Sequence, residues 1–292
     1  MSLWKNYLIP TSIEDAVNTL KRANGPVAII AGGTDLLLDL EQGRHSPVDT
    51  LVDITRIEEF RQVRVDPEGI FIGSAVTHND IIHNPILKDH AQCLVEGCGL
   101  IGGPQVRNVA TIGGNVAHAL PAGDGTIALV ALDADACIVN SDGETWQPIG
   151  ELFAGPGKTR FDRTQEIIKG FRIQPKHENE ASAFDRVMRP QGVAIAILNM
   201  AVWMRLGADR NIEQIRIAVG PGGPIPFRAY ELEDFMCGQK ADANTLQDAA
   251  QALLNEIQLR TSPYRATEAY RKHLIATLLQ RTADRIAERV GV

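Results

Sequence analysis

Two short stretches of this chain carry residue types and spacings that could do chemistry together. They are Ala31-Gly32-Gly33-Thr34-Asp35 and Thr111-Ile112-Gly113-Gly114-Asn115, and Asp124 follows the second by nine residues. In each, an apolar run feeds two glycines and then a polar residue that opens a new segment. Where a strand turns into a helix, the first backbone N–H groups lack helical partners and the dipole favours negative charge. Glycine leaves room for a bulky anion because no Cβ stands in its path. The second stretch adds the Thr111 hydroxyl and the Asn115 amide side chain to the Gly113 and Gly114 amides, a compact donor set for phosphate oxygens. A carboxylate accepts from vicinal sugar hydroxyls, which suits Asp124 to a ribose. The ordinary alternatives are a strand-to-helix turn with Asp35 as its N-cap, and Asp124 as the cap of the helix it opens. One cradle for each phosphate, with an acid for the sugar, points to a nucleotide diphosphate ligand.

Other motifs do not stand up to their context. Gly97 to Gly102, GCGLIG, matches the dinucleotide fingerprint by letter but follows a helical stretch and runs into Pro104. GPGKT, from Gly155 to Thr159, would need its first P-loop glycine at Leu152. Cys93 and Cys98 begin an iron–sulfur spacing whose next ligand position is Ile101. The histidines show no metal-ligand spacing, and only His118, just after the second cradle, stands near a candidate site. There is no G-x-S-x-G elbow and no assignable acid–base pair, so neither catalytic nor metal-ligating residues are assigned. Any reaction has to be carried by a cofactor.

The elements that must position these cradles are legible from caps and periodicity. Thr11 and Glu14 form a capping box for a helix with Ile13, Ala16, Val17 and Leu20 on one face. VAIIA, DLLLDLEQG and TLVDI then read as a small β-α-β unit, and GIFIGSAVT as a further strand. The stretch from Asn79 to Gly102 is mostly helical with a break at Pro85; GDGTIALVALDA reads as a helix and ADACIVN as a strand. LFAGPGKTRFDRTQ is expected as a loop, EIIKGFRI as a strand, and QPKHENEAS as a polar linker at a domain boundary. Beyond it, SAFDRVM, the alternating run from Val193 to Leu206 and IEQIRIAVGPGG predict antiparallel hairpins, followed by a helical C-terminal third. The class is α+β, not a doubly wound sheet.

The 292 residues carry 44% apolar and 22% charged residues, as a globular protein does. A net charge of -7 argues against a nucleic-acid face. The longest apolar run, Val193 to Met204, is too short for a membrane span and contains Asn199. The first residues show no secretory signal pattern, and four cysteines are too few for a disulfide framework, so a cytoplasmic protein with reduced thiols is expected.

AGGTDLL, IGSAVTHNDI, GGPQVRNVATIGGNVAHALPAGD, LDA, FAGPGKT and YRKHL fall in the order and spacing of a known group. The chain resembles, nearly end to end, the flavin-binding medium subunit of molybdenum hydroxylases, the group of the carbon monoxide dehydrogenase flavoprotein and the bacterial xanthine dehydrogenase FAD subunit. The resemblance implies a two-lobed FAD-binding fold of the vanillyl-alcohol oxidase type over residues 1–177, with lobes of about 1–58 and 59–177. A C-terminal α+β domain of the CO dehydrogenase flavoprotein type would cover 178–292. It implies that Ile30, Ala31, Gly32, Gly33, Thr34, Asp35 and Leu36, with Thr111, Ile112, Gly113, Gly114 and Asn115, hold the diphosphate of a non-covalent FAD. Asp124 would contact its ribose part, and Ile101 and, more weakly, Ile168 would be apolar neighbours of the flavin. Arg186 stands where family members often have a Lys, and Arg is bulkier and keeps its proton. The extra cysteine-bearing loop of some relatives is missing. FAD alone is therefore implied here, with 2Fe-2S clusters and molybdopterin on partner subunits.

By that resemblance the chain is an oxidoreductase subunit, passing electrons from a small 2Fe-2S subunit through FAD to NAD or another acceptor. A large molybdopterin subunit would complete the hetero-oligomer, with a dimer of heterotrimers as one arrangement. Two alternatives remain: a stand-alone FAD-dependent reductase or oxidase of the same fold, and a non-catalytic protein that binds a nucleotide diphosphate.

Overall fold

Capped apolar runs become the elements of the computed structural model, which describes residues 3–189 and 195–291. Strand β1 (Asn6–Leu8) leads into helix α1 (Ile13–Arg22), which buries Ala16, Val17 and Leu20 as its periodicity requires. Its cap is displaced by one residue from the expected Thr11: the Ser12 hydroxyl accepts from the Asp15 amide. Ser12 and Asp15 have the same spacing as Thr11 and Glu14, so only the helix phase distinguishes the two pairs. Next come β2 (Val27–Ile30), α2 (Leu36–Glu41) and β3 (Thr50–Asp53), the predicted β-α-β unit, with Ile30 opposite Asp53 in a parallel pair. Strands β4 (Val63–Asp66) and β5 (Gly69–Gly73) follow.

The Pro85 break separates α3 (His78–His83) from α4 (Pro85–His90); proline opens α4, where its missing N–H costs nothing, and Asn84 caps it. Helices α5 (Gln92–Gly99), α6 (Pro104–Arg107), α7 (Ile112–Ala117) and α8 (Asp124–Ala131) come next. They are followed by β6 (Asp135–Asn140) and β7 (Gly143–Pro148). The stretch expected as a loop contains a small hairpin, β8 (Phe153–Gly155) and β9 (Lys158–Thr159), before β10 (Ile167–Ile173). The linker is shorter than its composition suggests. Glu180, Ala181 and Ser182 already belong to β11 (Glu180–Val187), where Glu180 accepts from the His177 amide and pairs with Arg205. Strands β12 (Leu198–Leu206), β13 (Ile212–Gly220) and β14 (Phe227–Arg228) and helices α9 (Tyr230–Met236), α10 (Ala243–Glu256) and α11 (Glu268–Arg289) complete the chain. Val193 and Ala194, the expected start of the long strand, lie outside the described residues. Among the described residues no helix is long and apolar enough to cross a membrane.

Contacts sort the chain into two compact units that interleave in sequence. The first takes residues up to Asp80, Gly103–Ala119 and Ala134–Gln174. It holds the three-stranded sheet β1-β3-β2 and the five-stranded antiparallel sheet β4-β5-β10-β6-β7. Leu20, Val52, Phe60 and Ile167 belong to one of its cores. The second takes Ile81–Gly102, Leu120–Asp133 and the residues from Pro175 on. Its sheet, β11-β12-β13-β14, packs on α9, α10 and α11 through Met200, Val202, Leu232, Leu253 and Leu278, and α5 and α8 also contact it. Every residue of α8 is buried, in keeping with the wholly apolar stretch 127–131, while the polar Asp124 and Thr126 stand in its first turn.

Candidate functional site

In the first unit, Gly32 of the first glycine segment meets the backbone that leads into the second. A Cβ there would lie 2.1 Å from the Val109 carbonyl oxygen and 2.8 Å from Ala110 Cα, so one backbone passes directly over the other. Gly33 has φ +68°, a left-handed conformation that glycine adopts without penalty. Ile30 ends β2 with its side chain buried, and Ala31 to Asp35 form the turn into α2, which Leu36 begins. Among the described residues, none of the amides from Gly32 to Leu36 donates to a backbone carbonyl. Asp35 occupies the N-cap position of α2 without capping it. Its Oδ2 instead receives His118 Nδ1 at 3.2 Å. That hydrogen bond raises the His118 ring above its usual range and lowers Asp35.

The second segment is less open than its composition suggests. Ile112 donates to the Val76 carbonyl, Gly113 to Ser74, Gly114 to Thr111 Oγ1 and Asn115 to the Thr111 carbonyl. The Gly113 and Gly114 amides, expected as phosphate donors, are therefore committed inside the protein. Packing dictates Gly113, whose Cβ would fall 2.5 Å from Ser74 Cβ and 2.6 Å from its carbonyl oxygen. Gly114 differs: a Cβ there would meet only Thr111 Oγ1, at 3.2 Å. The open face of the segment is that of Gly114, bordered by a Thr111 hydroxyl that accepts the Gly114 amide and keeps its own proton to donate.

A recess of about 410 Å³ adjoins Gly32, lined by Asp53, Thr55, Arg56, Arg61, Ala75 and Asn108 among others. Asp53 is held by the Tyr7 hydroxyl at 2.8 Å and by the Thr55 amide and hydroxyl at 2.8 and 2.6 Å. Burial, then Asp53, pushes the Tyr7 phenol up to about 12. Arg56 and Arg61 place positive charge on the wall, and nothing in their spacing marks them in the sequence. Two buried polar atoms near the second segment have no partner among the described residues, Ser74 Oγ and His78 Nδ1. Ser74 receives the Gly113 amide, and the His78 amide donates to Ala110 at 3.0 Å. Burial, then the Arg107 charge, lowers the His78 ring to about 4, so it is neutral.

Ile168 is also in the first unit, buried in β10 opposite Ile138. The register slips at the next residue, and Lys169 reaches Glu59 and Glu144, both at 2.7 Å. Ile101, Asp124 and Arg186 belong to the second unit. Ile101 follows α5 in a turn, donating its amide to Cys98. Asp124 is the first residue of α8, not its cap, which is Gly123. Its two oxygens are taken by Arg186 and by Asn199 Nδ2, the latter at 2.6 Å. Burial pushes the Asp124 carboxyl up, against the opposing pull of Arg186. Arg186 also donates to the Leu100 carbonyl, tying the turn that carries Ile101 to the start of α8. A ribose hydroxyl at Asp124 would have to share oxygens that already have partners.

The comparisons with known proteins agree along the whole chain. The sequence family described as the FAD binding domain in molybdopterin dehydrogenase matches residues 3–176. The family described as the CO dehydrogenase flavoprotein C-terminal domain matches residues 182–286. The chain is 30% identical to a xanthine dehydrogenase FAD-binding subunit of Escherichia coli, covering 98% of this chain and 97% of that one. It is 29% identical to the carbon monoxide dehydrogenase medium chain of Hydrogenophaga pseudoflava, over 85% of each. A solved carbon monoxide dehydrogenase from Hydrogenophaga pseudoflava, lacking the Mo-pyranopterin moiety of its molybdenum cofactor, superposes with a TM-score of 0.91 at 27% identity, covering 98% of both chains.

Proposed function

This chain belongs to the FAD-binding subunits of the molybdenum hydroxylase family, and from that membership we propose that it is the electron-exit subunit of a larger oxidoreductase. The observation that carries the reading is the close approach of Gly32 to Val109 and Ala110, which lead into the second glycine segment, with the amides from Gly32 to Leu36 not committed to backbone carbonyls. Those features fit FAD. Gly32, Gly33, Thr34 and Asp35 would offer backbone amides to the diphosphate, flanked by Ile30, Ala31 and Leu36. Thr111 would offer its hydroxyl and Asn115 its side chain, across the open face of Gly114, with Ile112 and Gly113 holding that turn in place. The recess with Arg56 and Arg61 is the proposed seat of the nucleotide half. Asp124 on the ribose part, Ile101 and Ile168 beside the flavin, and Arg186 complete the set on the strength of the resemblance.

The chemistry that FAD supplies is redox: electrons received from a 2Fe-2S subunit and released to NAD or another acceptor. The chain's own residues bind and orient the cofactor, without a covalent link, and provide no nucleophile. The small 2Fe-2S subunit and a large molybdopterin subunit are the proposed partners, supported by relatives described as an FAD-binding subunit and a medium chain. Residues 1–177 would be the cofactor-binding part by chain order and 178–292 the C-terminal domain. Free cysteines at 93, 98, 137 and 237 support a cytoplasmic setting.

Expression with its genomic neighbours tests the reading. The expected product is a yellow complex that releases FAD on denaturation and contains molybdopterin and iron–sulfur subunits. A colourless chain without affinity for FAD would overturn it.

A further inference from the structure

Asp35 lies within the segment proposed to face the diphosphate, yet its carboxylate is turned onto His118, 3.2 Å away. The other charges around the pair are already engaged. Asp39 is paired with Arg44 at 2.8 Å, and Arg163 donates to the carbonyls of Ala117 and Gly157 at 3.0 and 3.2 Å. His78, lowered to about 4 by burial, is neutral here and does not offset the Asp35 charge. His118 is thus the group that cancels the Asp35 charge. Without it, a carboxylate would sit unpaired beside a doubly negative ligand.

We propose that His118 is a positioning residue for the cofactor, an imidazolium that holds Asp35 aside and neutralises it so that the diphosphate can approach. The inference rests on the FAD reading above and deepens it. The hydrogen bond from Asp35 raises the His118 ring above its ordinary value and so favours its protonated form. As pH climbs through that raised value the ring loses its proton, Asp35 is uncovered, and affinity for FAD falls. The diphosphate is ionised throughout this range and contributes no titration of its own.

The test is FAD binding to the flavin-stripped full chain, read by quenching of flavin fluorescence at about pH 6 and about pH 9. Wild type is expected to bind up to about fivefold more weakly at the higher pH, the size of one uncancelled charge screened by water. His118→Gln should be weak at both. Asp35→Asn should bind up to about fivefold more tightly than wild type at the higher pH, because no carboxylate is left to uncover. The double variant should follow Asp35→Asn. A strut that merely joins two segments predicts the opposite, with Asp35→Asn as damaging as His118→Gln. A flat wild-type profile, or weaker binding by Asp35→Asn at the higher pH, overturns the inference while leaving FAD binding intact. Failure of wild type to take up FAD at either pH overturns the functional reading and the inference with it. If His118→Gln does not fold, the Asp35→Asn comparison alone decides.

Discussion

At Gly114 a side chain has somewhere to go. Its Cβ would meet only the Thr111 hydroxyl, at 3.2 Å, a tight contact that a small shift of that side chain relieves, so Gly114→Val should still fold. Its methyls would occupy the face proposed for the diphosphate, and FAD should be lost. Flavin retained at wild-type stoichiometry would remove Gly114 from the site. Gly113→Ala is the contrasting variant: its Cβ would overlap Ser74, and about 1–3 kcal/mol of stability should be lost as in other overpacked sites. His78 allows a pH prediction of definite sign. Its folded value, about 4, lies below the unfolded value near 6.5, so the unfolded chain binds the proton more tightly. Stability is therefore retained above about 6.5 and lost progressively as pH falls towards 4, by up to about 3 kcal/mol. The measurement is the difference in urea midpoint between wild type and His78→Gln across that range. A constant difference would show that the ring does not titrate as its burial requires.

At the scale of the element, α8 shows how a residue expected for binding also fixes a helix. Asp124 stands at its first position and is held by Arg186 and Asn199, both from the sheet of the second unit. Asp124→Ala would leave the Arg186 guanidinium without its counter-ion and the buried Asn199 amide with the Ala122 carbonyl alone. Removing one partner of such a pair typically costs about 3–5 kcal/mol. Thermal unfolding should register that loss whether or not FAD is present. If stability is unchanged, the Asp124 contacts do not hold α8, and a change in flavin affinity could then be read as direct contact. Arg186→Lys should lose stability too, since one ammonium cannot replace a fork that serves both Asp124 and the Leu100 carbonyl.

For the whole molecule, the interleaving of the two units matters more than their order in the chain. Helix α5 precedes residue 177, yet its Cys93 amide donates to Ser182 Oγ at 3.1 Å and its Glu96 accepts from the Phe184 amide at 2.7 Å. Helix α8, also before that point, contacts β12 and β13. A fragment ending at residue 177 would expose the apolar faces of both helices. It is expected to be insoluble or to lack cooperative unfolding. A fragment that unfolds cooperatively, with near-UV circular dichroism typical of a packed core, would contradict this grouping. The stretch QPKHENEAS, expected as a boundary, begins where the chain leaves the first unit for the last time.

What the sequence determined by itself was local and additive. The β-α-β unit, the Pro85 break, the long C-terminal hairpins and the two glycine segments follow from periodicity, caps and turn residues that act over a few positions. The shared motif order was enough to place the chain in its family. Which donors of those segments are open was decided only in three dimensions. The Gly113 amide went to Ser74, Asp35 went to His118 instead of its own helix, and Asp124 went to Arg186 and Asn199. Arg56 and Arg61 joined the recess by Gly32 with no spacing to announce them. A hydrogen bond or ion pair is settled by whichever group passes within about 3 Å, and that neighbour is set by the packing of distant segments rather than by the residues on either side.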